Sequence, residues 1–451
     1  MKSRKLVNWL LYSLAALFLL YHLLPVGSAI TQLAPEKQTR IELANASQCD
    51  ARRNELLVPT YGNPLTQPLV RDLAARNQFV SPPAPTSTLY EQAATKSLAD
   101  WESSRYGNND GRTTIVNGEN PSTATFRVAI DKLQDGDTKW IGPRIDTAPG
   151  NYVTVSFMYR GNTDFKPTAI FIDTDSDTKY TPQRVITAQG DWKTASVDFI
   201  APPATKQFRF AANLEDQGWL ETKDILITSR PAPQFSRGIA TFTFDDGWKT
   251  IHEQGLPLFQ KYGIKTTQYI VADYEGNPAY MNKKLLDDFI AAGHDIGSHS
   301  YSHANLTTLG DERLRQETTG SWNVLNSEYG GVNNFAAPFG YYDDRVQAAI
   351  RQCYQSHRTT DSGFNAAGYD RYQIKVQNVE VDTKPEEIRR WADFARDNKL
   401  WLVLVYHQVE SGGEYSVDTR VLESHLRAVQ ESGIHTATFE EALLETYPQG
   451  R

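Results

Sequence analysis

Apolar and polar residues alternate in short runs between residues 98 and 230. In YVTVSFMYRG (152–161), Val153, Val155, Phe157 and Tyr159 share one face, and TAIFID, TASVDFI and KQFRFAANL repeat the two-residue period. The turn-rich stretches TAPGN, RGNTD, AQGDW and IAPPAT separate these runs. Regular short strands with such punctuation predict a β-sandwich, here jelly-roll-like, over 98–230. Past SRPAPQFS (229–236), which reads as a linker, the period changes. IATFTF, KTTQYIV, HDIGSHS, NNFAAPFG, YQSHRTT, QNVEV and LWLVLVYH read as strands. Between them lie helical stretches at 250–262, at NKKLLDDFIAAG before Gly293, at DERLRQETTGSWNVLNSEY and at 385–397, with Pro385 in a first turn. LWLVLVYH is apolar almost throughout, as a strand covered on both faces must be. HTATF and a last helix finish the chain. This βαβα rhythm over 236–451 predicts a parallel sheet, closed into a barrel or open, with chemistry at the carboxyl ends of its strands.

The first thirty residues follow neither pattern. Lys2, Arg4 and Lys5 precede a mostly apolar run from residue 6 to residue 24. That run approaches the ~20 residues that cross a bilayer and exceeds the ~7–15 of an ordinary signal peptide core. Gly27 and Ala29 offer a small-residue cleavage site. Residues 1–30 are therefore either an uncleaved transmembrane anchor or a signal peptide, and both readings export the rest of the chain. The leading positive charges put the N-terminus on the cytoplasmic side. Residues 31–97 are polar and irregular, include SPPAPTST, and read as a stalk with one short helix at 68–76.

Composition changes this picture little. The 451 residues suffice for two or three domains, and the net charge of −8 without a basic run argues against a nucleic-acid partner. The two cysteines, Cys49 and Cys353, are far apart and suggest neither a metal site nor a disulfide framework. Trp101, Trp140, Trp192 and Trp219 are open to two readings, sugar-stacking platforms or core residues. DTDSD (173–177) lacks the glycine and glutamate of a calcium loop and reads as an acidic hairpin tip.

The candidate chemistry stands at the predicted strand ends. Asp245 and Asp246 follow the first strand of the βα region, His299 and His303 the third, Pro338 to Gly340 the fourth, and His407 ends LVLVYH. All but one of the 9 histidines lie at or beyond residue 252. Two histidines four apart can hold one ion if the segment turns helically. An aspartate beside them would complete a two-histidine, one-acid set with a position left for water. Neighbouring strand residues point to opposite sides, so one of the paired aspartates can bind a cation while the other stays available as a base. His252, His294, His357, His425 and His435 are read as structural or surface residues.

The motif series TFDDG, GHDIGSHSYSH, FAAPFG and the late VYH, in this order over 235–448, resembles the polysaccharide deacetylases of carbohydrate esterase family four. The resemblance implies a distorted (β/α) barrel and a divalent metal, most often zinc. It implies removal of acetyl groups from a sugar polymer: N-acetylhexosamine chains such as peptidoglycan, a chitin-like glycan or an exopolysaccharide. It gives Asp245 the part of catalytic base, Asp246, His299 and His303 those of metal ligands, and His407 that of general acid. Phe339 stands where a tyrosine is usual, and its backbone N–H would hold the oxyanion, with Pro338, Gly340, Trp248 and Val405 beside the substrate. The sandwich resembles carbohydrate-binding modules. Two departures stand out: Ala336 occupies the place of an arginine that orients the base, and no fourth motif is evident, which leaves Asp361 and Asp382 as candidates to orient His407. O-acetyl ester hydrolysis on a xylan-like glycan and catalytically silent glycan binding are the alternative readings.

Overall fold

The computed structural model describes Cys49 and residues 86–446, apart from 96, 119, 189 and 411. The expected anchor, most of the stalk and the helix expected at 68–76 lie outside the described residues. Among the described residues no helix is long and apolar enough to cross a membrane.

Two antiparallel sheets make up the N-terminal part. One is six-stranded and runs Lys193–Ile200, Asn151–Gly161, Gly218–Pro231, Thr125–Ile130, Arg112–Val116, and the other is seven-stranded around Asp164–Asp173 and Thr205–Asn213. The predicted alternation explains their packing. Val153, Val155 and Phe157 are buried to within 1% and meet Phe126, Phe165, Phe208 and Phe210 in one cluster between the sheets. The sheet begins earlier than the sequence suggests. Ser87–Glu91, expected to be stalk, pairs antiparallel with the long strand Gly218–Pro231, because Leu89 and Tyr90 pack on the sandwich core. DTDSD is the acidic hairpin tip expected: Asp173 Oδ1 accepts from the N–H groups of Asp175 and Asp177, both at 2.9 Å. Trp101 stacks on Phe126 at 3.9 Å and Trp140 meets the same ring edge-on, so both are core residues. Trp192 and Trp219 lie on the outer face of the six-stranded sheet.

In the C-terminal part seven parallel strands close into a ring: β1 (Ile239–Phe244), β2 (Thr266–Ile270), β3 (Asp295–Ser298), β4 (Asn334–Ala336), β5 (Ser356–Ser362), β6 (Ile374–Asn378) and β7 (Trp401–Tyr406). β7 and β2 both pair with β1, which closes the barrel, and the two-residue strand His435–Thr436 extends it beside Ile239 and Ala240. β6 starts three residues before the expected QNVEV. Gln377 and Asn378 pair with Leu404 and Val405, and the chain then leaves the sheet, with the Glu380 N–H donating to Thr383 Oγ1.

β1 and β7 divide their side chains cleanly. Ala240, Phe242, Phe244, Leu402, Leu404 and Tyr406 pack under the surrounding helices with Phe259, Leu286 and Ile388. Ile239, Trp401, Val403 and Val405 fill the interior, closed at the base by Phe439 and Leu443 of the last helix, Phe439–Thr446. Gly297 on β3 is required by this filling: a Cβ there would lie 2.6 Å from the Tyr269 ring.

The two parts are docked. The Arg184 guanidinium donates to Asp344 at 2.7 Å, Lys375 Nζ donates to the Asp198 carbonyl, and Ile200 and Ala232 join the barrel's outer cluster. Cys49 and Cys353 form a disulfide, contrary to the sequence reading. A separation of 304 residues carries no spacing signal, so only the fold brings the two thiols together.

Candidate metal and catalytic site

The interior row of each strand leads directly to the site. On β1 the inward positions end in Asp245, on β3 in His299, on β7 in His407. Their polar groups therefore converge above the apolar filling with no further device. Asp246 would point outward under strict alternation. Its φ of +71°, followed by +77° at Gly247, turns the carboxylate back into the mouth instead. The two aspartates thus face the same cavity, not opposite sides as the sequence suggests. The Asp246 side chain is fixed by the Trp248 indole, whose Nε1 donates to Oδ2 at 2.9 Å.

His303 reaches the site by a different route from the helical turn expected. The SHSYSH segment is irregular, with Ser300 at φ +67° and His303 at φ +59°. Glu317, fully buried, holds this turn. Its carboxylate accepts from the N–H groups of Tyr301 and Ser302 at 3.1 and 2.8 Å and from Ser302 Oγ at 2.6 Å. The imidazoles of His299 and His303 end 5.0 Å apart, centroid to centroid.

His299 Nδ1 lies 2.8 Å from the Ala336 carbonyl, which can only accept, so Nδ1 carries the proton and Nε2 presents a lone pair. Burial pushes His299 down to about 4, which keeps the ring neutral at neutral pH. Asp246 Oδ1 stands 3.5 Å from His299 Nε2 and 3.2 Å from His303 Nε2. Burial alone would raise the Asp246 carboxyl, but the imidazoles of His303, His299 and His407 outweigh it and hold the group well below the usual carboxylate range. Asp246 Oδ1 is buried and has no properly aligned hydrogen-bond donor. These three side chains place one ligand atom each within 4.8 Å of one another. Ligands at ~2.0–2.1 Å from a tetrahedral ion stand roughly 3.4 Å apart, so the donor set and spacing fit a divalent cation.

Asp245 is held by a residue that sequence reasoning missed. The Arg358 guanidinium, wholly buried on β5, donates from Nη2 to both Asp245 oxygens at 2.6 and 2.5 Å and lies 4.9 Å over the Tyr269 ring. Ala336 and Arg358 are paired in register on β4 and β5. The arginine absent from Ala336 therefore stands one strand over, aimed at the same carboxylate. The available signal was a charged residue inside YQSHRTT, a strand covered on both faces, where an unpaired cation would be costly.

His407 Nε2 lies 3.9 Å from Asp245 Oδ2, and its buried Nδ1 has no hydrogen-bond partner. Neither expected orienting acid reaches it. Asp361 accepts from the Tyr342 hydroxyl at 2.7 Å, and burial pushes its carboxyl up, while Asp382 is exposed in a turn. The His407 ring instead packs 5.3 Å from Tyr415. Phe339 adopts φ +58° and turns its ring onto His303 at 4.5 Å, remaining 59% exposed at the rim. Gly340, at φ +70°, allows this: a Cβ would strike Thr360 Oγ1 at 1.8 Å. Pro338 is buried beneath that turn, and Val405 lies wholly inside the barrel filling. Trp248, Tyr280 and Tyr274 form a continuous aromatic wall on the other side, with centroids 4.4 and 4.3 Å apart. Of the remaining histidines, His294, His357 and His425 are buried and bonded to protein groups.

Residues 233–355 match the family model described as polysaccharide deacetylase. Chitin deacetylase 1 of Cryptococcus neoformans var. grubii is 32% identical over 111 residues, 24% of this chain and 23% of that protein. The poly-beta-1,6-N-acetyl-D-glucosamine N-deacetylase of Staphylococcus epidermidis is 23% identical over 199 residues, 39% of this chain and 69% of that protein. A chitin deacetylase of Pestalotiopsis sp is 32% identical over 21% of this chain and 32% of its own length. The chain spans between 23% and 61% of the length of the first relatives it matches.

Proposed function

The chain carries a polysaccharide deacetylase domain, matched over residues 233–355, and we propose that it removes N-acetyl groups from an N-acetylhexosamine polymer outside the cytoplasm. The observation that carries the reading is the cluster of Asp246, His299 and His303 with Asp245 beside it, ion-paired to Arg358. Asp246, His299 and His303 would hold a divalent cation, with zinc favoured by the two imidazoles and one carboxylate; when bound it would polarise the acetyl carbonyl and acidify a water.

The chain's own residues supply the proton transfers. Asp245, held in place by Arg358, takes the proton of the attacking water. His407, across the same cavity, delivers a proton to the departing nitrogen, which an amide needs because its anion is a poor leaving group. The Phe339 N–H is the candidate donor to the developing oxyanion. The rim aromatics Phe339 and Tyr341, 6.1 Å apart, and Trp248 offer apolar faces to a pyranose ring. The same proton transfers would serve an O-acetyl ester. The relatives named as deacetylases of chitin and of poly-beta-1,6-N-acetyl-D-glucosamine favour the N-acetyl reading. The ground for a silent binding protein, alanine at 336, falls away because Arg358 reaches the base.

The Cys49–Cys353 disulfide supports an oxidising compartment, in keeping with an apolar N-terminal segment that anchors or exports the chain. Membrane fractionation of cells carrying the full chain, with alkylation of thiols before reduction, checks location and disulfide together. A free Cys353 in the mature protein would count against export. The activity test measures acetate released from N-acetylated and O-acetylated polymers, with and without a chelator. Chelator-sensitive release from the N-acetyl polymer is the expected result; release from the ester alone, or none from either, overturns the reading.

A further inference from the structure

The outer face of the six-stranded sheet holds a second cleft, far in sequence from the catalytic residues. Strand register sets it out in rows. Arg112, Ala129 and Trp219 lie side by side across three strands, and Thr114, Arg127, Glu221 and Arg160 form the adjoining row. Ala129 is the small member of its row. Above its methyl group opens a cleft of about 530 Å³, with the Trp219 indole on one side and the Arg112 and Arg127 guanidinia lining it. That volume falls within the ~300–1,000 Å³ of ligand sites.

The groups around the cleft are held in place. Glu221, 4% exposed, accepts from Arg127 at 2.6 Å and from Arg160 at 2.7 Å, which props both guanidinia upright on the sheet. Arg127 stacks over Trp219 at 4.5 Å, with Arg160 at 6.0 Å. Arg112 pairs with Asp131 at the open edge. In direct ion pairs three guanidinia meet two carboxylates, with the Asp110 carboxylate a further neighbour of Arg112, on a chain whose net charge is −8. A guanidinium has five N–H donors in a planar fork matched to carboxylate, and these pairs use a fraction of them. A flat indole suits the C–H face of a pyranose.

We propose that this cleft binds a carboxylate-bearing glycan strand, one sugar ring stacking on Trp219 while its acid group is taken by Arg112 and Arg127. The site is separate from the catalytic centre and stands or falls independently of the reaction assigned there.

The test is equilibrium binding of the full chain to two soluble probes. One is an oligosaccharide alternating glucuronate and N-acetylglucosamine; the other is an uncharged N-acetylglucosamine oligomer of equal length. Expected are a preference for the acidic probe of about tenfold or more and weakening by salt. Trp219→Ala and Arg112→Gln should each lose roughly tenfold. Arg112 is largely exposed, so its variant folds regardless of the fate of the tryptophan variant. Acetate release from a small uncharged substrate should stay unchanged in both. Equal affinity for the two probes, insensitivity to salt, or wild-type binding by Arg112→Gln overturns the proposal.

Discussion

Both ends of the barrel bury carboxyl groups, and they bury them in opposite chemical states. At the mouth, Asp245 faces the Arg358 guanidinium and Asp246 faces imidazoles, which hold its carboxyl below the usual range. At the base, Asp295 accepts from the Glu440 N–H at 2.9 Å, and Glu440 is bonded to the amides of Asn333 and Asn334 at 3.1 and 2.7 Å. Among the described residues no cation pairs directly with either. Burial, aided by like charge from Glu441, pushes Asp295 up to about 7. Burial and the neighbouring Asp295 push Glu440 up to about 8. The same residue types thus face a guanidinium and imidazoles at one end and are proton-holding structural links at the other. Depth does not separate the two ends; the charge of the partners does.

The comparison can be broken most severely at the mouth. Asp245→Asn keeps the shape and removes the proposed proton acceptor. Acetate release should fall by ~10²–10⁴ while the fold is retained, as circular dichroism would register. Arg358→Ala removes the counter-charge. It should cost about 3–5 kcal/mol in denaturant titrations, because Asp245 is left buried and unpaired, and should lower kcat with it. Because Ala336 and Arg358 are register partners, adding Ala336→Arg to that variant should recover stability and part of the rate. Failure of this second-site rescue would show that the guanidinium's strand of origin matters and not only its target.

Glu317→Ala loosens the SHSYSH turn without touching a ligand atom. It should weaken metal affinity by about 10–100-fold, read by competition with a chelator, with smaller loss of rate at saturating metal. The smallest effect belongs to the base of the barrel. Asp295 and Glu440 hold protons more tightly folded than unfolded, so their own contribution to stability falls as pH rises from about 4 to 8. Below about pH 6.5 it is opposed by the buried histidines His294, His299, His357 and His425, which burial keeps neutral in the folded state. Above about pH 6.5, where the buried histidines are neutral in both states, thermal melts should shift downward up to about pH 8, and Glu440→Gln should flatten that slope relative to the parent with activity left intact. An unchanged slope would mean that these carboxyls do not carry the contrast.

The sandwich alternation, the change to βα units past residue 236 and the strand-end positions of Asp245, His299 and His407 were legible in the sequence. Each follows from a local rule: period two in a half-buried strand, an apolar run in a covered one, and an inward row whose next member enters the mouth. Four features were decided only by the tertiary structure. Asp246 turns inward through a left-handed backbone, and His303 reaches its place through an irregular turn held by Glu317. Arg358 substitutes for Ala336 from the neighbouring strand, and Cys49 meets Cys353 across 304 residues. The division has one physical cause. Periodicity fixes which face a side chain presents, because it depends on bonds between near neighbours. Which strand lies alongside, and which distant group arrives opposite, depends on closure of the whole ring and has no imprint within any short window of residues.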